Sequence, residues 1–198
     1  MNNTMPTEGI DSKTIIVIKR NDNIHALSCD DIFKIDESDY GRWVKVKNVF
    51  TVGFNNSFVE IDGVFYRKPN LYEDFVEVVS TYSRRVKVTK DYPIVIIDTY
   101  KTMITTRSAS SLIDKKCNVP LGKTLQISQS FASCSVGKGI CALLNSNKAF
   151  DLKSCFVSEP LKLAFCSETS SEDSIVSIRL KDKYRPYFQT AAGILLHT

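Results

Sequence analysis

The sequence predicts a β-rich α+β fold: roughly eight or nine mostly antiparallel strands with one or two short helices. Two patterns carry that expectation. Val44 and Val46 alternate with Lys45 and Lys47, and Val86 and Val88 alternate with Arg85, Lys87 and Thr89. Successive side chains of a strand point to opposite faces, so both stretches read as half-buried strands with a positive outer face. Tyr92 to Ile97 (Tyr-Pro-Ile-Val-Ile-Ile) has no polar side and suits a central strand covered on both faces.

Taken in order, residues 1–13 read as a flexible lead-in. Thr14 to Lys19 is a β-branched strand closed by the polar turn Arg20 to Asn23. Ser28, with Asp31 three residues on, offers a helix cap before Ile32, Phe33 and Ile35. Gly41 leads into a strand at Trp43, and the alternation slips phase between Val46 and Val49, as at a bulge. Asn55-Asn56 separates two aromatic, β-rich runs and suits a hairpin turn; Val59, Ile61 and Phe65 share one face of the second run. Asn70 and Glu73 form a capping pair ahead of Leu71, Phe75, Val78, Val79 and Tyr82, whose spacing predicts a helix over 70–82. Strands follow at 84–89 and 94–98. The Ser-rich, basic stretch Thr105 to Lys116 reads as a connection between a basic β-rich lobe (14–104) and a second β-rich lobe (105–198), packed together as one domain. Further strand-like runs lie at Thr124 to Ala132, Ile140 to Leu144, Leu161 to Phe165 and Ile175 to Leu180, with a polar loop at Ser167 to Asp173 expected in solvent.

An apolar fraction of 43% over 198 residues supplies a real core and excludes a disordered tail or a coiled coil. No run approaches the roughly 18 apolar residues of a membrane span. The N-terminus has neither a basic nor an apolar signal region, so the expectation is an intracellular chain with reduced cysteines. Residues 1–39 hold four basic and eight acidic side chains, leaving 22 basic and 14 acidic in the remainder. The pI of about 8.7 permits nucleic-acid binding without requiring it.

Catalytic signatures are weak. Gly122-Lys123-Thr124 matches the end of a phosphate-binding loop, but position 117 is Cys where that loop needs Gly, and Pro120 removes an amide donor. Cys134, Cys141, Cys155 and Cys166 are spaced too widely for the close pairs of a structural zinc site, so neither metal nor cofactor is expected. His25 and Cys29 have the residue types of a thiol nucleophile without its motif context, and the chain reads as no enzyme. The positive signal is interleaved basic and aromatic residues: Arg42, Trp43, Lys45 and Lys47; Tyr66, Arg67 and Lys68; Tyr82, Arg84, Arg85, Lys87 and Lys90; and then Arg107, Lys115 and Lys116. Lys181, Lys183, Tyr184 and Arg185 follow near the end. Cations neutralise phosphates and aromatics stack on unpaired bases, so Arg42, Lys45, Lys47, Arg67, Lys68, Arg84, Arg85, Lys87, Lys90, Arg107, Lys115 and Lys116 are the candidate nucleic-acid contacts.

In size, charge, cysteine content and the Asn/Asp/Ser/Ile/Val-rich character of Met1 to Met5 and Gly9 to Lys19, the chain resembles the 22-kilodalton accessory proteins of criniviruses. That resemblance implies a plant-virus suppressor of RNA silencing in the host cytoplasm that binds double-stranded RNA. It also implies a host ubiquitin-ligase adaptor as a further partner, while homo-oligomerisation is left open. Ile94 to Asp98, Ile140 to Leu144, Pro160 to Phe165 and Arg179 to Lys183 are similar to the jelly-roll movement proteins of plant viruses. A protein–protein interaction module is the alternative function.

Overall fold

A computed structural model describes residues 5–53, 58–70, 73–80, 85–98, 103–121, 157–166, 173–182, 187–190 and 195–198. The strands are β1 (Ile10–Asp11), β2 (Ile15–Arg20), β3 (Asn23–Ser28), β4 (Trp43–Lys45), β5 (Phe50–Val52), β6 (Phe58–Arg67), β7 (Phe75–Ser80) and β8 (Arg85–Thr89). They continue with β9 (Pro93–Asp98), β10 (Met103–Ser108), β11 (Cys117–Leu121), β12 (Val157–Cys166), β13 (Ile175–Leu180), β14 (Tyr187–Gln189) and β15 (Leu195–His197). One α-helix, α1 (Cys29–Phe33), and two 3₁₀ turns, Glu37–Asp39 and Ala109–Leu112, complete the described elements. The expected β-rich, antiparallel class is what the chain adopts. The strands outnumber the expected eight or nine because several, such as β1, β5, β14 and β15, are only two or three residues long, too short to show a period.

The ladder runs β14-β15-β9-β11-β12-β7-β8-β1-β13-β6-β5-β2-β3, with β10 beside β9 and β4 beside β6. All described pairs are antiparallel, and single bridges Ile16–Thr190 and Gly53–Phe188 bring the β14 end back against β2 and β5. The enclosed core collects Ile10, Ile16, Ile61, Val76, Val88, Ile94, Val176 and Phe188, each at most 1% exposed. Among the described residues no helix is long and apolar enough to cross a membrane.

Where local chemistry decides, expectation and structure coincide. β2 and β3 form a hairpin whose two turn residues, Asn21 and Asp22, both take positive φ (49° and 62°), as a two-residue turn compatible with strand twist requires. Ser28 caps α1, accepting the Asp31 N–H at 3.1 Å, while its own hydroxyl donates to the Asp31 carboxylate. The phase slip after Val46 is real: Asn48 sits at φ 57° between β4 and β5. β13 spans Ile175–Leu180, as the sequence predicts.

Four stretches differ. The helix expected over 70–82 is strand β7, held between β8 and β12. The β-branched run Phe75-Val-Glu-Val-Val79 prevails over the helical stripe because two neighbouring strands satisfy its backbone, and a short helix would have left part of that apolar surface wet. The Ser-rich connection begins as a full strand: β10 pairs with β9 from Met103↔Asp98 to Ser108↔Pro93. Among the described residues it has a single ladder partner, in keeping with its polar Thr and Ser side chains. Ile10 and Asp11, within the stretch read as a lead-in, form β1. Asp173, at the end of the loop expected in solvent, is 5% exposed. The Asn55-Asn56 turn, the runs at 124–132 and 140–144, Gly122 to Thr124, and Cys134, Cys141 and Cys155 lie outside the described residues.

Val86 lies within the core with Arg85 exposed on the opposite face. Val86→Asp should therefore cost about 3–5 kcal/mol, an unpaired carboxylate having no partner there. Chemical denaturation measures it, and coincident transitions for variant and parent would refute the placement.

Candidate functional site

The geometry that gathers polar groups lies at the start of the chain. Thr7, Glu8 and Gly9 run into β1, and each is held through its main chain. Arg67, 5% exposed on β6, donates from Nη2 to the Thr7 carbonyl at 2.7 Å. Its guanidinium is fixed by a two-pronged pair with Glu73, at 2.5 Å to each carboxylate oxygen. Ser177 on β13 donates its hydroxyl to the Glu8 carbonyl at 2.5 Å. The Gly9 N–H donates to Thr89 Oγ1 at 3.1 Å, and the Thr89 N–H returns a bond to the Gly9 carbonyl at 3.0 Å. The Glu8–Gly9 peptide is thus gripped at its oxygen by one hydroxyl and at its nitrogen by another. Thr7 and Glu8 lie at the surface, Glu8 with its carboxyl partly covered at the cavity wall, whereas Gly9 is buried.

This peptide borders a cavity of 540 Å³ whose wall includes Glu8, Tyr92, Ser177, Arg179, Asp182 and Thr198. That is room for a small ligand or a short peptide segment. Arg179 lies over the Trp43 ring, 4.5 Å from its centroid, and its Nε reaches Asp62 at 2.9 Å. Burial pushes the Tyr92 phenol above its usual range, and the nearby Glu8 adds to the effect. Burial, then the negative charge of Asp91, also raises the Glu8 carboxyl. Tyr92 therefore stays protonated on the cavity wall and can donate but not ionise.

The thiol alternative ends here. Cys29 is fully buried, burial pushes its pKa far up, and its S–H faces the Thr14 carbonyl at 3.6 Å. A thiol held un-ionised is no nucleophile. Among the described residues no group of three or more His, Cys, Asp and Glu side chains could hold a metal.

The sequence-predicted cations are placed one by one. Arg42 pairs with Asp39, Lys68 with Glu37, Arg85 with Glu77, Lys87 with Asp173 and Lys90 with Asp74, while Arg67 is the buried partner of Glu73. Lys45, Lys47, Arg107, Lys115 and Lys116 are exposed, and Arg84 lies outside the described residues. Of the aromatic groups expected to stack on bases, two are engaged internally: Tyr66 is 1% exposed, and Trp43 packs edge-on to Phe65 at 5.6 Å beneath Arg179, while Tyr82 and Tyr184 lie outside the described residues. Thr89, expected on the outer face with Arg85 and Lys87, is 2% exposed because the Gly9 segment covers it.

Sequence reasoning missed Glu8, Gly9, Thr89 and Ser177 as a unit. The contacts join residues 80 and 169 positions apart, and a lone Ser or Thr in a strand carries no pattern of its own.

No protein-family model and no curated protein matches the chain. Solved structures do. An intein from a hyperthermophile superposes with a TM-score of 0.68 at 11% identity, covering 96% of this chain and 99% of that one. The Pab PolII intein follows at 0.67 and 12% (96% and 100%), and the transcription factor IIB Mvu mini-intein at 0.65 and 14% (96% and 99%). At these identities the likeness is one of fold. It overturns the crinivirus resemblance, and with it silencing suppression and RNA binding, because the structures sharing this architecture are inteins. The interaction-module and movement-protein alternatives and the expectation of no enzyme go the same way, since the solved structures that share the fold are inteins.

The Arg67–Glu73 pair sets a pH dependence. Burial alone would raise the Glu73 carboxyl, but the bonds from Arg67 and the Asn70 N–H outweigh it and hold the pKa below its ordinary 4.5. A carboxyl whose folded pKa is depressed adds stability above its unfolded value and loses it as pH falls through the folded one. Glu73→Gln should therefore be less stable than the parent at pH 7, and the gap should close as the pH drops below about 4.5. Urea denaturation between pH 7 and pH 3 measures this, and a gap that stays constant would contradict it.

Proposed function

We propose that this chain is a self-processing domain of the intein type, and that the Glu8–Gly9 peptide is the bond it acts on. The observation that carries the proposal is the pair of hydroxyls gripping that peptide at the edge of the cavity.

Acyl transfer from a peptide begins with attack on its carbonyl carbon, and negative charge then develops on the carbonyl oxygen. A preplaced donor at that oxygen is the largest single aid a site can give. Ser177 Oγ is such a donor, on a strand whose own backbone is fixed by β6 and β1. Thr89 sets the plane of the peptide by engaging Gly9 on both its N–H and its carbonyl. Gly9 has no side chain, so the attacking oxygen comes from the cavity: water, or the hydroxyl of Thr198 on its wall. The new C–O bond forms at the Glu8 carbonyl carbon, the C–N bond to Gly9 breaks, and the proton of the attacking oxygen ends on the Gly9 amine. With water as the attacker the products are a new carboxylate at Glu8 and a free amine at Gly9.

The test places a reporter protein ahead of Met1 and follows the full-length product by intact mass. The expected products end at Glu8 and begin at Gly9. Removing one oxyanion donor costs about 10²–10³-fold in comparable sites, so Ser177→Ala should slow cleavage by that order without loss of fold. A parent that stays intact over days would leave the fold without the chemistry and overturn the proposal.

A further inference from the structure

We infer that Asp11 and Asp173 make β1 a proton-controlled latch between β8 and β13, closed when Asp11 carries a proton and easier to open when both carboxyls are charged.

β1 is two residues long, so the side chains around it decide how firmly it stays in the ladder. Three carboxylates meet there. Asp173, at the entry to β13, takes Lys87 of β8 at 2.6 Å and Lys13 at 3.3 Å. Asp11, half-buried opposite Ile175, accepts the Lys13 N–H at 2.9 Å. Asp30 of α1 accepts the Ser12 hydroxyl at 2.8 Å, next to the un-ionised Cys29 thiol. Other charges on the packed elements are engaged elsewhere. Arg85 of β8 holds Glu77 of β7, and Arg67 of β6, across Ile175 from Asp11, holds Glu73. Among the described residues, two ammoniums therefore face three carboxylates.

Burial pushes the Asp11 carboxyl above its ordinary 3.8, and the neighbouring Asp173 charge adds to the rise; the Lys13 N–H, Lys87 and Lys13 pull the other way without cancelling it. A carboxyl whose folded pKa is raised adds stability below its unfolded value and loses it as pH rises through the folded one. The latch is thus tightest near the ordinary carboxyl range and loosens as the pH climbs above it. That sign is opposite to the one at Arg67–Glu73. Opening is local, because few bonds go with β1: the Ser12 N–H to the Ser174 carbonyl at 2.8 Å, and the Thr89 N–H to the Gly9 carbonyl at 3.0 Å. None of this requires the Glu8–Gly9 bond to be cleaved.

The test follows hydrogen exchange of the Ser12 and Thr89 amides in the full chain by NMR between about pH 4 and pH 7, corrected for intrinsic exchange rates. Ile18, paired with His25 in the β2–β3 hairpin, is the control. Protection at Ser12 and Thr89 should fall by more than about threefold as the pH rises, while that of Ile18 does not fall. Asp11→Asn keeps an acceptor for the Lys13 N–H and abolishes the titration, so both amides should hold their acid-pH protection throughout. Asp173→Asn removes the charge that raises Asp11 and leaves it both ammoniums, so the Asp11 carboxyl ¹³C shift should titrate at lower pH than in the parent. A parent whose Ser12 and Thr89 protection does not fall, or falls in step with Ile18, would overturn the latch, as would an Asp11→Asn variant that keeps the parent's slope. An Asp11 carboxyl that titrates at or below 3.8 in the parent would overturn it whatever the variants do.

Discussion

The sheet depends on a two-residue strand. β1 stands between β8 and β13 in the ladder, with Ile10 opposite Val88 on one side and Val176 on the other. So short a strand contributes few ladder bonds, and the junction is reinforced from outside it. The Ser12 N–H reaches the Ser174 carbonyl at 2.8 Å, the Ser12 hydroxyl reaches Asp30 at 2.8 Å, and Thr89 and Arg67 hold the residues just ahead. The contacts that keep the two halves of the sheet together are therefore the ones that orient the Glu8–Gly9 peptide. Fold integrity and site geometry are a single constraint.

Charge is spent on the same task. Acids of the first 39 residues meet bases of the remainder at Asp39–Arg42 and Glu37–Lys68, and other pairs hold the junction itself. Asp173, buried at the entry to β13, takes Lys87 from β8 at 2.6 Å and Lys13, just beyond β1, at 3.3 Å. A carboxylate in that position costs desolvation that only close cations offset. The result ties β8, β1 and β13 together across the junction. Lys87 also lies over the Phe75 ring at 4.7 Å, so it serves β7 as well. What the linear sequence presents as a positive strand face is, at Arg85, Lys87 and Lys90, a set of cross-strand and loop pairings.

Features set by neighbours in sequence were legible, and features set by neighbours in space were not. The Ser28 cap, the Asn21-Asp22 turn and the limits of β13 each follow from a few adjacent residues. The segment 70–82 satisfied a helical stripe and a β-branched run at once, and only the presence of β8 and β12 on either side decides between them. Even there the capping signal had a physical basis. Glu73 does bond the Asn70 N–H, at 3.1 Å, but its carboxylate also answers to Arg67 from another strand. Of the candidate site, Arg67 alone was singled out from the sequence, and for a different reason. Its exposure could not be inferred, because a lone arginine in a β run gives no sign of the buried carboxylate that it will meet.

The choice of groups at the site follows from burial. A thiol or an imidazole earns its place in catalysis by ionising near neutral pH, and burial of the kind seen at Cys29 suppresses that. A hydroxyl needs no ionisation to hold a carbonyl oxygen, so it tolerates the dry, strand-lined environment around Gly9. Thr89 and Ser177 are both at most 9% exposed, and both have their hydroxyls engaged on the same peptide. Such groups are positioned by two ladders at once, β8 between β7 and β1 and β13 between β1 and β6. The same packing leaves no room for a Cβ on residue 9. Tight placement of the carbonyl and exclusion of a side chain beside it are two effects of one close approach, that of β13 to the segment leading into β1.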